Sequence, residues 1–140
     1  MAMNKNLILA ALLTILFSIA SMAQEKVYQL SSHILDINAG QPATGVTIQL
    51  SRLVDGQSWQ PIEAKTTDAN GRVKEFLEKR PDTDNRGIYK LTYLVGPYFE
   101  AQAQKSFYPF IEVVFEITDN SHYHVPITLS PYGYSTYRGN

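Results

Sequence analysis

Apolar and polar residues alternate with a period of two along much of the chain, and this pattern predicts β-strands. Between residues 46 and 50 the apolar side chains occupy the even positions, and between 89 and 95 they occupy the odd positions. The alternation recurs over 111–117 and 123–129, and turn-forming pairs such as Asp55-Gly56 separate the runs. Short strands at this spacing predict an all-β sandwich of two antiparallel sheets with about seven or eight strands.

One segment departs from the two-residue period. Residues 98–105 are rich in helix-forming side chains and follow the pair Gly96-Pro97. Pro109 lies just beyond them, and a proline disfavours the helical conformation of the residue before it. We therefore expect one short helix over 98–105.

The first residues have the pattern of a secretory signal peptide. Lys5 supplies a positive charge, residues 7–20 are almost wholly apolar, and 21–23 (Ser-Met-Ala) place small residues where a signal peptidase reads them. The apolar run is short for a membrane span, although a retained N-terminal anchor is the alternative. We expect a signal peptide over 1–23 and one domain over 24–140, exported to the periplasm.

Composition narrows the possible partners of that domain. The chain has 12 basic and 13 acidic residues, a balance that gives no footprint for nucleic acid or for an anionic membrane. It has no cysteine, which excludes disulfides and a lipid-modified cysteine. We expect its stability to come from the core and from assembly of several chains.

The three histidines are the first candidates for chemistry. His122 and His124 are two residues apart in a predicted strand, so they project from one face, opposite the apolar residues of 123–129. His33 lies in another strand-like run, 28–35. A metal site would need a third or fourth ligand, and nothing in the spacing demands one. Two solvated side chains on an outer sheet face are the simpler interpretation of His122 and His124, with His122 in a supporting or surface role.

Arg72 and the last nine residues are the other candidates. Arg72 follows the tight turn Asn70-Gly71 and by itself would be an ordinary exposed arginine. If His33 and His124 converge on it, its forked guanidinium could bind a planar anion while a neutral histidine accepts a proton from water. Residues 132–140 are unusually aromatic for the end of a sequence, so they form either a final strand or part of a site.

Four segments together resemble the 5-hydroxyisourate hydrolases of the transthyretin-like family. They are residues 31–36 (Ser-Ser-His-Ile-Leu-Asp), 66–72 (Thr-Thr-Asp-Ala-Asn-Gly-Arg), 122–126 (His-Tyr-His-Val-Pro) and 137–139 (Tyr-Arg-Gly). The resemblance covers essentially all of 24–140, in order and without a large insertion. Each motif alone is weak, but the four in order, with Tyr-Arg-Gly close to the end, are specific.

The resemblance implies a transthyretin/prealbumin-like sandwich that assembles into a homotetramer, with active sites between dimers and no cofactor, and from the histidine spacing we expect no metal. It implies that water opens the six-membered ring of 5-hydroxyisourate in urate catabolism, giving 2-oxo-4-hydroxy-4-carboxy-5-ureidoimidazoline. The implied catalytic residues are His33, Arg72 and His124. The implied substrate-binding residues are His33, Arg72, Tyr137, Arg138, Gly139 and Asn140.

Asn140 departs from the family pattern, which has serine at this position. An amide offers a carbonyl and an NH₂ group in place of one small hydroxyl, so it could still hydrogen-bond substrate but could not carry a proton. Two other functions stay open, because a fold does not fix function. They are a non-catalytic carrier of a small aromatic ligand, as in transthyretin, and an exported sandwich domain for adhesion or carbohydrate contact.

Overall fold

A computed structural model describes residues 25–140, which form nine strands and one short helix. Within these residues, no helix is long and apolar enough to cross a membrane. The predicted signal peptide, 1–23, lies outside the described residues. The elements are β1 Tyr28–Asp36, β2 Gln41–Pro42, β3 Thr47–Val54, β4 Ser58–Thr66, β5 Arg72–Glu78, β6 Gly87–Tyr93, α1 Val95–Glu100, β7 Ile111–Ile117, β8 Tyr123–Ser130 and β9 Gly133–Thr136.

The strands form two sheets, as the alternation predicts. One sheet has the order β2-β1-β8-β9, with β5 also paired to β1, and the other has the order β4-β3-β6-β7. Two details differ from the expectation. β1 and β8 run parallel, with Leu30 opposite Tyr123, whereas antiparallel sheets were expected. The sequence could not predict this, because the alternation of side chains carries no information on strand direction. The described strands number nine because the short strands β2 and β9 join the first sheet.

The helix was expected over 98–105, and this range is wrong. Helix α1 spans Val95–Glu100 and holds a proline in its first turn, where the missing N–H costs nothing. Ala103 then adopts a left-handed conformation with φ of 54°. The Gln104 N–H donates to the Phe99 carbonyl at 3.0 Å, which is the bond that closes a helix with a left-handed residue after its end. Backbone capping therefore stops the helix before the favourable side chains are used.

The core lies between the two sheets and contains a small polar link. Ser32 Oγ lies 2.9 Å from the Tyr93 hydroxyl and donates to the Val125 carbonyl at 2.7 Å. Burial raises the pKa of the Tyr93 hydroxyl, which stays protonated and bonded. The link ties β1, β6 and β8 together across the sandwich. The largest fully buried side chains around it are Tyr89, Tyr93, Phe76, Phe99, Leu30, Ile34, Ile48, Leu50, Leu91, Ile111, Ile117 and Ile127.

Asp36, the last residue of the 31–36 motif, has a structural role. It is only 1% exposed, so its carboxylate needs hydrogen-bond donors. The backbone N–H groups of Asn38 and Ala39 each donate to Oδ1 at 3.0 Å, and the Tyr98 hydroxyl donates to Oδ2 at 2.9 Å. Asp36 therefore fixes the turn after β1 and attaches helix α1 to it.

Tyr93→Phe tests the polar link in the core. The change removes the hydroxyl that contacts Ser32 and Val125 but keeps the ring, so we expect a loss of about 1 kcal/mol in the free energy of unfolding. Urea unfolding at fixed protein concentration measures it as a lower midpoint with an unchanged slope. Tyr132→Phe is the matched control, because Tyr132 is 72% exposed. Equal midpoints for the two variants would contradict the role of the link.

Candidate active site

Strands β1, β5 and β8 bring the candidate residues to one outward sheet face. Ser32 and Ile34 are fully buried, so period-two alternation turns Ser31 and His33 to the outer face. The register then decides their neighbours. His33 lies opposite Arg72 on β5, and Ser31 lies opposite His124 on β8. Residues from three distant segments of the sequence therefore meet on one surface.

The turn before β5 places Arg72. The Asp68 carboxylate accepts hydrogen bonds from the backbone N–H groups of Asn70 at 2.8 Å and Arg72 at 2.9 Å, and these bonds lower its pKa. Gly71 has φ of 69°, and a Cβ there would lie 2.6 Å from the Ile34 carbonyl oxygen. The motif 66–72 thus needs aspartate to hold the turn and glycine to let it approach β1.

The final residues return to β8 after forming a strand. β9 pairs with β8, and the chain then crosses back so that the Gly139 N–H donates to the His124 carbonyl at 2.8 Å. A Cβ on Gly139 would lie only 2.4 Å from Cδ2 of the His124 ring. Both alternatives for the tail are therefore realised, a strand over Gly133–Thr136 and a site contact at its end.

A cavity of about 340 Å³ opens on this face. It contains three of the predicted residues, Arg72, His124 and Asn140. His33 lies beside Arg72 in the β1–β5 register but does not line the cavity. Gly139 contacts His124 from the tail side.

Two predicted substrate-binding residues face elsewhere in the single chain. Tyr137 and Arg138 line a second groove that runs between β7 and β8. The Arg138 guanidinium lies 4.7 Å from the centre of the Tyr123 ring, on the opposite side of β8 from His124. Their contact with a substrate stays a prediction.

Besides Ser32, whose hydroxyl bonds within the core, three residues in the cavity were not predicted as site residues: Ser31, Lys74 and His122. Each lies two positions from a predicted residue, so strand alternation could have found all three. Ser31 Oγ lies 2.8 Å from His122 Nε2 and 2.8 Å from His124 Nδ1. His122 is therefore a neighbour of His124 within the site, an arrangement that matches the first of the two roles expected for it, supporting or surface.

Charge and burial keep the two predicted site histidines neutral near pH 7. Burial lowers the pKa of His124, and the positive charge of Arg72 lowers it further, with smaller effects from His33 and His122. Burial and Arg72 also lower the pKa of His33, against opposing effects from Asn70 and Asp68. A neutral imidazole beside a fixed cation can accept a proton from water.

Metal binding has no geometric support in this part of the chain. Among residues 25–140, no three or more histidine, aspartate or glutamate side chains are grouped so that they could hold an ion. A site of this kind would need at least three protein ligands. His122 and His124 hydrogen-bond Ser31 instead.

Comparison with known proteins places the chain among relatives of two kinds. A Caenorhabditis elegans protein, named a probable 5-hydroxyisourate hydrolase, is 45% identical over 99% of this chain and 100% of its own length. The Klebsiella pneumoniae 5-hydroxyisourate hydrolase superposes with a TM-score of 0.67 at 35% identity, covering 84% of this chain and 100% of that one. Sea bream transthyretin, solved in complex with thyroxine, superposes with a TM-score of 0.72 at 27% identity, covering 79% and 94%.

The predicted family and fold are thereby confirmed. The matching family model, described as the HIUase/Transthyretin family, covers residues 30–139, nearly all of the described sandwich. The four motifs that suggested the family lie within or beside the matched range, and three of them meet at the cavity. The chain belongs to the HIUase/transthyretin family.

Proposed function

We propose that this protein hydrolyses 5-hydroxyisourate to 2-oxo-4-hydroxy-4-carboxy-5-ureidoimidazoline in urate catabolism. The choice of substrate rests on relatives that are named 5-hydroxyisourate hydrolases. The observation that carries the proposal is the outward face of β1, β5 and β8, where Arg72 and His124 share a cavity and His33 pairs with Arg72. These groups match the needs of water addition to a planar anionic ring.

Each group has a distinct part in the proposed reaction. Arg72 binds the oxygens of the ring and stabilises the negative charge that develops when water adds to the carbonyl. His33 and His124 hold the attacking water, and one of them accepts its proton. The tail covers the site through Gly139, with Asn140 supplying hydrogen-bonding groups at the cavity wall.

The carrier alternative is weighed on the site, because the fold does not separate the two functions. The transthyretin superposes at least as well as the hydrolase, with TM-scores of 0.72 and 0.67. A carrier of an aromatic ligand has no need for neutral histidines beside an arginine or for a tail packed on one of them. The chemical content of the cavity therefore favours hydrolysis.

The assembly is proposed to be a homotetramer with its sites at the interface between dimers. Phe107 and Tyr132 are each 72% exposed in the single chain, and large exposed aromatic side chains are typical of contact surfaces. Light scattering over a range of concentrations should give the molar mass of four chains. A monomer at every concentration would contradict the assembly.

Export is proposed from residues 1–23. Their short apolar run and small residues match a cleaved signal, which would place the domain of residues 24–140 outside the cytoplasm, in the periplasm of a bacterial host. N-terminal sequencing of the secreted protein should begin at Gln24, whereas an intact Met1 would refute cleavage.

An ultraviolet assay with freshly generated 5-hydroxyisourate tests the function. We expect the protein to accelerate loss of substrate equally with and without a chelator. His124→Ala should lower kcat at least about tenfold, because general-base catalysis contributes roughly 10²- to 10⁴-fold. Lys105→Ala is the control, since Lys105 is exposed and lies outside the cavity.

Two results would count against this proposal. A fully active His124→Ala variant would remove His124 from catalysis. A folded but inactive wild-type protein would favour the carrier function, unless Asn140→Ser restored activity and so located the defect at Asn140.

Gly139→Ala tests the contact between the tail and the site. A methyl group would lie 2.4 Å from Cδ2 of His124, so either the ring or the tail must move. We expect kcat to fall roughly tenfold or more, since small misplacements of a catalytic group cost up to about 10²-fold. Gly133→Ala controls for the substitution, because Gly133, like Gly139, has no left-handed backbone, and a Cβ there would lie at an ordinary 3.7 Å from Ser130 Oγ. Equal kcat in both variants would show that the tail does not position His124.

A further inference from the structure

A chain of hydrogen bonds runs from the backbone of β1 to His124. His122 Nδ1 lies 3.1 Å from the Tyr28 carbonyl oxygen, and His122 Nε2 lies 2.8 Å from Ser31 Oγ. The same Oγ lies 2.8 Å from His124 Nδ1. Two imidazole rings and one hydroxyl are therefore connected in sequence, and a backbone carbonyl closes one end.

The carbonyl sets the direction of every bond in this chain. A carbonyl oxygen can only accept, so His122 Nδ1 carries the hydrogen. A neutral imidazole has one N–H group, and therefore His122 Nε2 has a lone pair and accepts the Ser31 hydroxyl proton. The Ser31 oxygen, having donated its hydrogen, accepts from the N–H group at Nδ1 of His124. The remaining nitrogen of His124, Nε2, then bears the free lone pair.

We propose that Ser31 and His122 are positioning residues that hold His124 in the tautomer with a free lone pair on Nε2, which makes His124 the proton acceptor of the reaction. This inference rests on the proposed hydrolysis and assigns the base within it. Among residues 25–140, no group forms a hydrogen bond to Nε2, so this nitrogen is available to water. A fixed tautomer matters because the wrong one presents an N–H where a proton must be received.

The same arrangement serves the whole proton cycle. The attacking water gives its proton to Nε2 while its oxygen forms the bond to the ring carbonyl carbon. The imidazolium of His124 still donates from Nδ1 to Ser31, so no hydrogen bond reverses when the charge appears. His124 then returns the proton to the ring nitrogen as the C–N bond breaks, which restores the starting state.

His33 stands apart from this set of hydrogen bonds, and its part is to hold the attacking water. It lies beside Arg72, outside the cavity lining, and its ring bonds the Asn70 backbone in place of a serine or a second histidine. The charged or titratable groups that face His124 are Arg72, Lys74, His33 and His122. No aspartate or glutamate side chain lines this cavity in the described part of the chain, whereas Arg72, which lowers the pKa of His124, does.

Nitrogen-15 NMR of the purified protein, labelled at histidine, measures the tautomers directly. At neutral pH we expect His122 and His124 both to carry the hydrogen on Nδ1 and a lone pair on Nε2. His33→Gln assigns the His33 signals by their loss. A hydrogen on Nε2 of neutral His124 would overturn the proposal.

Kinetics of Ser31 variants supply the second test. Ser31→Ala should lower kcat roughly tenfold, equivalent to about 1.4 kcal/mol, with KM changed less than about twofold, because the lost bond orients the base without touching substrate. The NMR spectrum of this variant should show mixed tautomers of His124. Ser31→Thr retains the hydroxyl and should restore both properties. Ser58→Ala is the matched control on an exposed part of β4.

The pH profile separates positioning from a loss of structure. In the wild type, kcat should fall as the pH drops through the lowered pKa of His124, because the protonated ring cannot accept a proton. Ser31→Ala removes an acceptor that stabilises the charged ring, so its pKa drops and the acid limb moves to lower pH. An unshifted limb with wild-type kcat would refute the role of Ser31.

His122→Phe tests the part of the hydrogen-bonded set that lies farthest from His124. If Ser31 and His122 act as one unit, the double variant with Ser31→Ala should be no slower than the slower single variant. Additive losses of kcat would refute joint action of the two residues. An active wild type with a hydrogen on Nε2 of His124 would refute only the positioning role of Ser31 and His122. An inactive wild type with the expected tautomer would refute only the proposed hydrolysis.

Discussion

The structure depends on the parallel pairing of β1 with β8. This register sets Ser32 inward, where it bonds the Tyr93 hydroxyl and the Val125 carbonyl. It sets Ser31 outward, where Oγ contacts His124 in β8 and His122 just before that strand. Core and site are therefore opposite faces of one pairing. A slip of one residue would turn Ser31 into the core and Ser32 to solvent, so the buried polar link protects the geometry of the cavity.

Alternation of residue types along the sequence was enough to predict β1, β3, β6, β7 and β8, although not β4 or β5, and to place His122 and His124 on one face, opposite the buried Tyr123 and Val125. It could not predict which strands are neighbours. The meeting of Ser31 with His124 joins residues 93 positions apart, and it follows from strand order and direction, which depend on the packing of both sheets. The family resemblance is what grouped Arg72 with His124 in one site, and the assembled face adds Ser31 and Lys74 to them.

The difference in the helix range has an equally local cause. The helix was expected over 98–105 from side-chain propensity, but backbone capping at Ala103 and Gln104 ended it earlier. In the single chain, Tyr137 and Arg138 turn to the groove between β7 and β8 while Asn140 reaches the cavity, and contact of Tyr137 and Arg138 with substrate stays a prediction. Successive residues of an extended chain point to opposite sides, which accounts for this division of the tail within one chain.

A sandwich of this kind can carry a ligand or open a ring, and the difference lies in a few outward side chains. The two superpositions, with a transthyretin and with a hydrolase, show that the backbone serves both kinds of protein. Unlike ligand transport, hydrolysis requires a proton acceptor, here a nitrogen lone pair held in a fixed orientation beside a cation. Here the backbone of β1 supplies that direction, because the Tyr28 carbonyl orders His122, His122 orders Ser31, and Ser31 orders His124. The strand that builds the core thus also defines which nitrogen can receive a proton.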